Sequence, residues 1–151
     1  MRVMLIGFGV TLGALVVQGM AVAVGVETIG ALMAKRLVGI HVWRNGAATL
    51  VLIMTLLTGH LAQMAVWATA FMAAGEFETF DVAFYHSAVN YTTLGYGDLV
   101  MSEHWRLLGP QEAASGTLAF GWSTAAIVTI VIRLFRYRRR AQVREESRGP
   151  S

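Results

Sequence analysis

The chain has 151 residues, 56% hydrophobic and 14% charged, with a mean hydropathy of +0.57, where soluble domains carry about 25% charged residues. That balance excludes an ordinary soluble domain and intrinsic disorder, and it leaves a membrane protein. Cysteine is absent, which removes disulfides, thiolate metal sites and cysteine nucleophiles together. The formal charge of +3 comes mostly from a basic C-terminal stretch that fits a membrane flank better than a nucleic-acid-binding face.

Residues 3–26 carry no charge, and at about 1.5 Å per residue a helix of that length crosses a hydrocarbon core of about 30 Å. A cleaved signal peptide competes for this segment, because Arg2, the apolar run and Ala21-Val22-Ala23 fit that pattern. Cleavage would leave Lys35, Arg36 and Arg44 outside and reverse the later spans, against most of the basic residues, so a retained helix is expected. Residues 45–75 are uncharged again, and the run 50–74 is polar only at threonines, His60 and Gln63. This predicts a second span, over 46–75. The uncharged stretch 82–97 is too short and too polar to cross. Non-helical backbone at membrane depth must be buried by protein or face a water-filled cavity, so this stretch is expected to be re-entrant. Its first part, 80–91, lacks Gly and Pro and reads as a short helix, with Thr79 or Asp81 as N-cap and Gly95 and Gly97 beyond its end. A third span is expected over 111–135, around the uncharged residues 113–132, rich in the small residues that let helices approach in a bilayer. A basic tail, 136–151, follows.

Lys and Arg placement sets orientation. Lys35, Arg36 and Arg44 lie between the first two spans and seven arginines, Arg133 to Arg148, follow the third, so both segments are expected to be cytoplasmic. Glu76, Glu78, Asp81, Asp98, Glu103 and Glu112 all fall between the second and third spans, and that region, with the N-terminus, is expected outside.

The short helix leads into Thr92-Thr93-Leu94-Gly95-Tyr96-Gly97-Asp98. A dehydrated cation needs a cage of oxygens, and in an ordinary strand only alternate carbonyls would face it. Glycines at alternate positions take positive φ at little cost, so a short segment can turn its carbonyls one way. This segment resembles the selectivity filter of potassium channels. Over roughly residues 50–140 the chain resembles the pore module of bacterial channels built from two helices and a pore loop: Trp105 stands at the outer tryptophan position, Gly116 at the inner-helix glycine, and Phe120-Gly121 and Thr124-Ala125-Ala126 read like the inner helix.

The resemblance implies an all-α membrane protein: three transmembrane helices with a re-entrant pore helix and selectivity filter, homotetrameric around a central pore. Residues 1–44 would form an extra N-terminal helix and linker, and 45–135 the pore module (outer helix 46–75, pore helix 80–91, filter 92–98, inner helix 111–135). The carbonyls of Thr93, Leu94, Gly95 and Tyr96, with the Thr93 hydroxyl, would hold K+, and Gly97 completes the ion-binding segment. Thr92, Asp98, Tyr85, His86, Val89 and Trp105 would support the filter. Gly116 would be a hinge, and Thr117, Phe120, Thr124 and Val128, sharing a face by helical spacing, would line the cavity.

Leu94 replaces a more usual Val or Ile, and its unbranched β-carbon packs differently behind the filter, so looser selectivity is expected. Tyr85 and His86 stand where many relatives have two tryptophans, and Val89 where some have a glutamate, leaving Asp98 without that partner. The implied function is passive K+ conduction across the plasma (inner) membrane. K+ is the permeant ion, and neither an organic cofactor, a nucleic-acid partner nor an enzymatic activity is expected. Alternatives are a less selective monovalent cation channel and a non-conducting accessory subunit. A haem-binding bundle would need two histidines at matched depth, of which His60 and His86 are the candidates. His60 and Gln63 are read as interhelical hydrogen-bonding groups, and His104 as a solvated loop residue. The arginines of the tail are expected to meet anionic lipid headgroups.

Overall fold

The structure, a computed structural model, describes residues 1–35, 37, 38 and 41–146. Four helices follow one another: α1 (Arg2–Ala34), α2 (Val42–Ala73), α3 (Phe80–Tyr91) and α4 (Leu108–Glu146). Among the described residues there is no strand. Three helices are long and apolar enough to cross a membrane: Arg2–Ala34, Val42–Ala73 and Leu108–Arg140. Arg36 and Arg148 lie outside the described residues.

The chemistry of these spans is visible in their threonines. The hydroxyls of Thr11, Thr28, Thr55, Thr58, Thr117 and Thr124 donate to the carbonyl four residues earlier, at 2.7 to 2.9 Å. Each hydroxyl is satisfied within its own helix and needs no water. Large apolar side chains point outward along α1, among them Leu5, Phe8, Leu12, Val16 and Met20. This is the arrangement expected where lipid replaces water.

α1 and α4 run parallel, and α2 runs against both. Gln111 near the start of α4 donates to the Met4 carbonyl at 3.3 Å, and Gln18 bonds Ser123 further along. α1 and α2 meet closely where a Cβ on Gly59 would stand 2.6 Å from the Ala21 Cβ. The shorter α3 lies against α2 and α4 and not against α1, and Val3 near the start of α1 shares an apolar cluster with Tyr91 at the end of α3. The core has two apolar clusters. One, with Trp67, Phe71, Tyr91 and Leu108, lies at the α3 end, and the other, with Ile29, Leu52, Leu56 and Ile130, at the opposite end. Gln18, His60, Gln63 and Ser123 are buried polar residues of the same three long helices.

α2 stops in a Schellman turn. Gly75 takes φ +77°, its N–H donates to the Met72 carbonyl at 2.9 Å, and the Glu76 N–H donates to the Phe71 carbonyl at 3.1 Å. α3 begins at Thr79, although the Thr79 hydroxyl makes no capping bond. α4 does not end near 135: it continues through the basic segment to Glu146, 39 residues in all. Arginines are good helix formers and no Gly or Pro interrupts the run.

Candidate functional site

The loop 92–98 is shaped by how α3 ends. The Thr93 N–H donates to the Asn90 carbonyl at 2.9 Å, and the Leu94 and Gly95 N–H groups both donate to the Val89 carbonyl, at 2.9 and 3.3 Å. This is a second Schellman turn, with Thr93 where a glycine is usual. Because N–H and the preceding C=O point oppositely across a planar trans peptide, the carbonyls of Thr92, Thr93 and Leu94 face away from the end of α3. Every second residue is left-handed: Thr93 at φ +60°, Gly95 at +60° and Gly97 at +72°. The two glycines adopt this freely, whereas Thr93, with its branched β-carbon, does so at a cost of about 1–2 kcal/mol. Its hydroxyl donates to the Thr92 carbonyl at 2.6 Å, and the Thr92 hydroxyl to the Ala88 carbonyl at 2.7 Å.

The supporting residues divide by what they touch. Asp98, without the glutamate that some relatives place at position 89, has a different partner: the Tyr85 hydroxyl donates to its Oδ2 at 2.7 Å. That bond holds the Asp98 carboxyl below the usual carboxylate range and raises the Tyr85 phenol, so at neutral pH the pair is a phenol donating to a carboxylate. His86 is buried, 2.8 Å from the Asn90 amide by its Nε2, with its ring against Phe71 and Phe77. Val89 acts through the carbonyl that receives the two loop N–H groups. Trp105 packs on the Trp67 cluster. A cleft of about 200 Å³ is lined by Gly95 and Gly97 together with His86, Val89, Asn90 and Arg106.

Gly116 is not a break in α4. A Cβ there would stand 2.2 Å from the Tyr91 carbonyl oxygen, so the glycine is the seat on which the end of α3 rests. Thr117, Thr124 and Val128 are exposed on the protomer. Phe120 is exposed with them, at 38%, while its ring also lies 4.6 Å from that of His60 and 5.4 Å from that of Tyr91.

Several residues at the site were not singled out from the sequence. Glu112, counted with the outward acidic residues, is fully buried beneath α3. Ser87 Oγ bridges its carboxyl and the Met64 carbonyl. Glu76 clamps the loop after the glycines: its carboxylate accepts from the Ser102 N–H at 2.7 Å and the Ser102 hydroxyl at 2.6 Å. Gln18 reaches from α1 to Ser123 and Gln63, at 2.6 Å each. An amide in a run otherwise free of such groups was the available signal.

The Ion_trans_2 family model, described as "Ion channel", matches residues 49–133, more than half of the chain. The chain belongs to this ion channel family. No solved structure matches it. The matched region takes in α2 from Thr49 onward, α3, the 92–98 loop and α4 as far as Arg133, and α1 lies before it. With three helices fit to span, the channel is a multi-pass membrane protein, and its family points to transport rather than to an enzyme.

Proposed function

We propose that the channel conducts potassium passively, as a homotetramer whose filter is Thr92-Thr93-Leu94-Gly95-Tyr96-Gly97-Asp98. The observation that carries this reading is the alternation of left-handed residues at Thr93, Gly95 and Gly97 at the end of a short helix. Such backbone offers stacked carbonyls of Thr93, Leu94, Gly95 and Tyr96 in place of the ion's water. One chain supplies one quarter of each oxygen ring. The partial negative charge at the C-terminal end of α3 favours a cation beside it.

Tetramer formation is supported by the loop's side chains, since Leu94 is 54% and Tyr96 68% exposed in a single chain and only neighbouring copies would cover them. Thr117, Phe120, Thr124 and Val128 would line the cavity. The arginine asymmetry supports an N-terminus outside and a cytoplasmic C-terminus, with the plasma (inner) membrane as the proposed location. Anionic lipid is the fitting partner for a groove of about 800 Å³ lined by Met33, Ile132, Arg133, Arg136, Tyr137 and Arg140.

The test is K+ against Na+ flux from liposomes holding purified channel, with barium as blocker and Gly95→Asp as control. K+ flux abolished by both supports the reading. Equal Na+ flux replaces it with a weakly selective cation channel loosened at Leu94, and no flux of either ion in any condition points to a non-conducting subunit.

A further inference from the structure

All four helices contribute to one unbroken line of buried side-chain hydrogen bonds. Gln63 Nε2 of α2 donates to Gln18 Oε1 of α1 at 2.6 Å, and Gln18 Nε2 donates to Ser123 Oγ of α4 at 2.6 Å. Ser123 Oγ lies 3.0 Å from His60 Nε2, and His60 Nδ1 lies 2.9 Å from the Tyr91 hydroxyl, on the last residue of α3. Gln18, Gln63 and Tyr91 are fully buried, and Ser123 and His60 nearly so. With the imidazole proton on Nδ1, every bond runs the same way, from Gln63 to Tyr91, and bonds aligned in a medium of low dielectric strengthen one another.

We infer that α1 positions the filter through this relay, with Gln18 as the positioning residue and Tyr91 as the receiving end. An α1 serving only as a lipid-facing rim has no use for a buried amide, because each of its polar atoms must find a partner or be left at a cost. Gln18 finds its partners on both helices of the pore unit. Tyr91 is held at its hydroxyl by His60 and at its carbonyl by Gly116, and the residue after it begins the loop. A shift of the Tyr91 ring therefore moves the turn that aims the Thr93 and Leu94 carbonyls. The family match begins only at residue 49, after α1, so this is an input added to the pore unit from outside it.

The inference rests on the potassium reading for its readout. Gln18→Met keeps length and volume without the amide, Tyr91→Phe removes the receiving hydroxyl, and both are compared with the double variant as full chains in liposomes. Assembly is checked first by native mass spectrometry. Assembled Gln18→Met should lower the K+/Na+ flux ratio by about fivefold or more, as coupling between distant sites does. Tyr91→Phe should do the same, and the double variant should be no worse than either, since both cut one line. A wild-type ratio in assembled Gln18→Met, or effects that multiply in the double variant, would overturn the relay. If Gln18→Met does not assemble, Ser123→Ala, which cuts the line without altering α1, decides it by the same criterion. If the unaltered channel itself passes Na+ and K+ equally, the potassium reading falls. The relay is then judged on total cation flux, standing if the single variants change it without multiplying and falling otherwise.

Discussion

Gly116→Ala tests how α4 and the end of α3 fit together. On helix propensity alone the change should stabilise α4 by about 1 kcal/mol. The structure reverses that sign, because the new Cβ would stand 2.2 Å from the Tyr91 carbonyl oxygen and 3.1 Å from its carbon. Ordinary C···O contact begins near about 3.3 Å, so α4 and α3 must separate by roughly 1 Å at this point. Overpacking of this kind costs about 1–3 kcal/mol. The atom displaced is backbone and cannot swing aside as a side-chain tip would. Thermal loss of the assembled oligomer, followed by size-exclusion chromatography, should therefore come at lower temperature, and the K+/Na+ flux ratio should fall because Tyr91 leads into the filter. Gly13→Ala in α1 is the control, since nothing lies within 4 Å of a Cβ there, and it should be neutral or slightly stabilising. Gly116→Ala with unchanged stability and unchanged ratio would refute the reasoning. Slowed opening at an unchanged ratio would instead support Gly116 as a hinge.

Tyr85→Phe removes the donor to Asp98 and should leave assembly intact while conduction declines a few-fold faster during sustained flux; identical time courses would show that the bond has no part in holding the outer mouth. Glu112→Gln keeps the shape and a partner for Ser87, so its melting temperature should stay near that of the unaltered chain. Glu112→Ala should cost about 2–4 kcal/mol by leaving a cavity beneath α3, and equal losses in the two variants would contradict this. Replacing Arg133, Arg136 and Arg140 together by Gln should reduce the anionic lipid retained in native mass spectra several-fold, with zwitterionic lipid unaffected.

The spans were legible because charge-free runs report the thickness of hydrocarbon directly, and the short helix at 80–91 was legible because its apolar, Gly- and Pro-free sequence stops at a polar, glycine-bearing one. Partnership was not. The sequence leaves Asp98 facing a valine position, whereas one helical turn further back Tyr85 reaches it. Glu112 looked like one more outward acid because linear position reports the boundary of a span and not which side of the helix a residue occupies. Thr93 in a left-handed conformation could not be anticipated from propensity, which disfavours it, since the bonds that enforce it come from Val89 and Asn90. Gln18 was visible as a lone amide, but the residues it would meet are more than 40 positions away in the chain.

The unbroken course of α4 has a mechanical meaning. From Gly116 to Arg140 the helix is one lever about 36 Å long at 1.5 Å per residue, with its fulcrum where the Tyr91 carbonyl bears on the glycine. A tilt of about 5° about that point sweeps the arginine end through roughly 3 Å, by the same rise per residue. Read in reverse, a displacement of a few ångströms at the arginines arrives at the fulcrum as torque, with no joint in between to absorb it. Sideways load on the far leaflet and the aim of the loop carbonyls are then two ends of the same rigid beam.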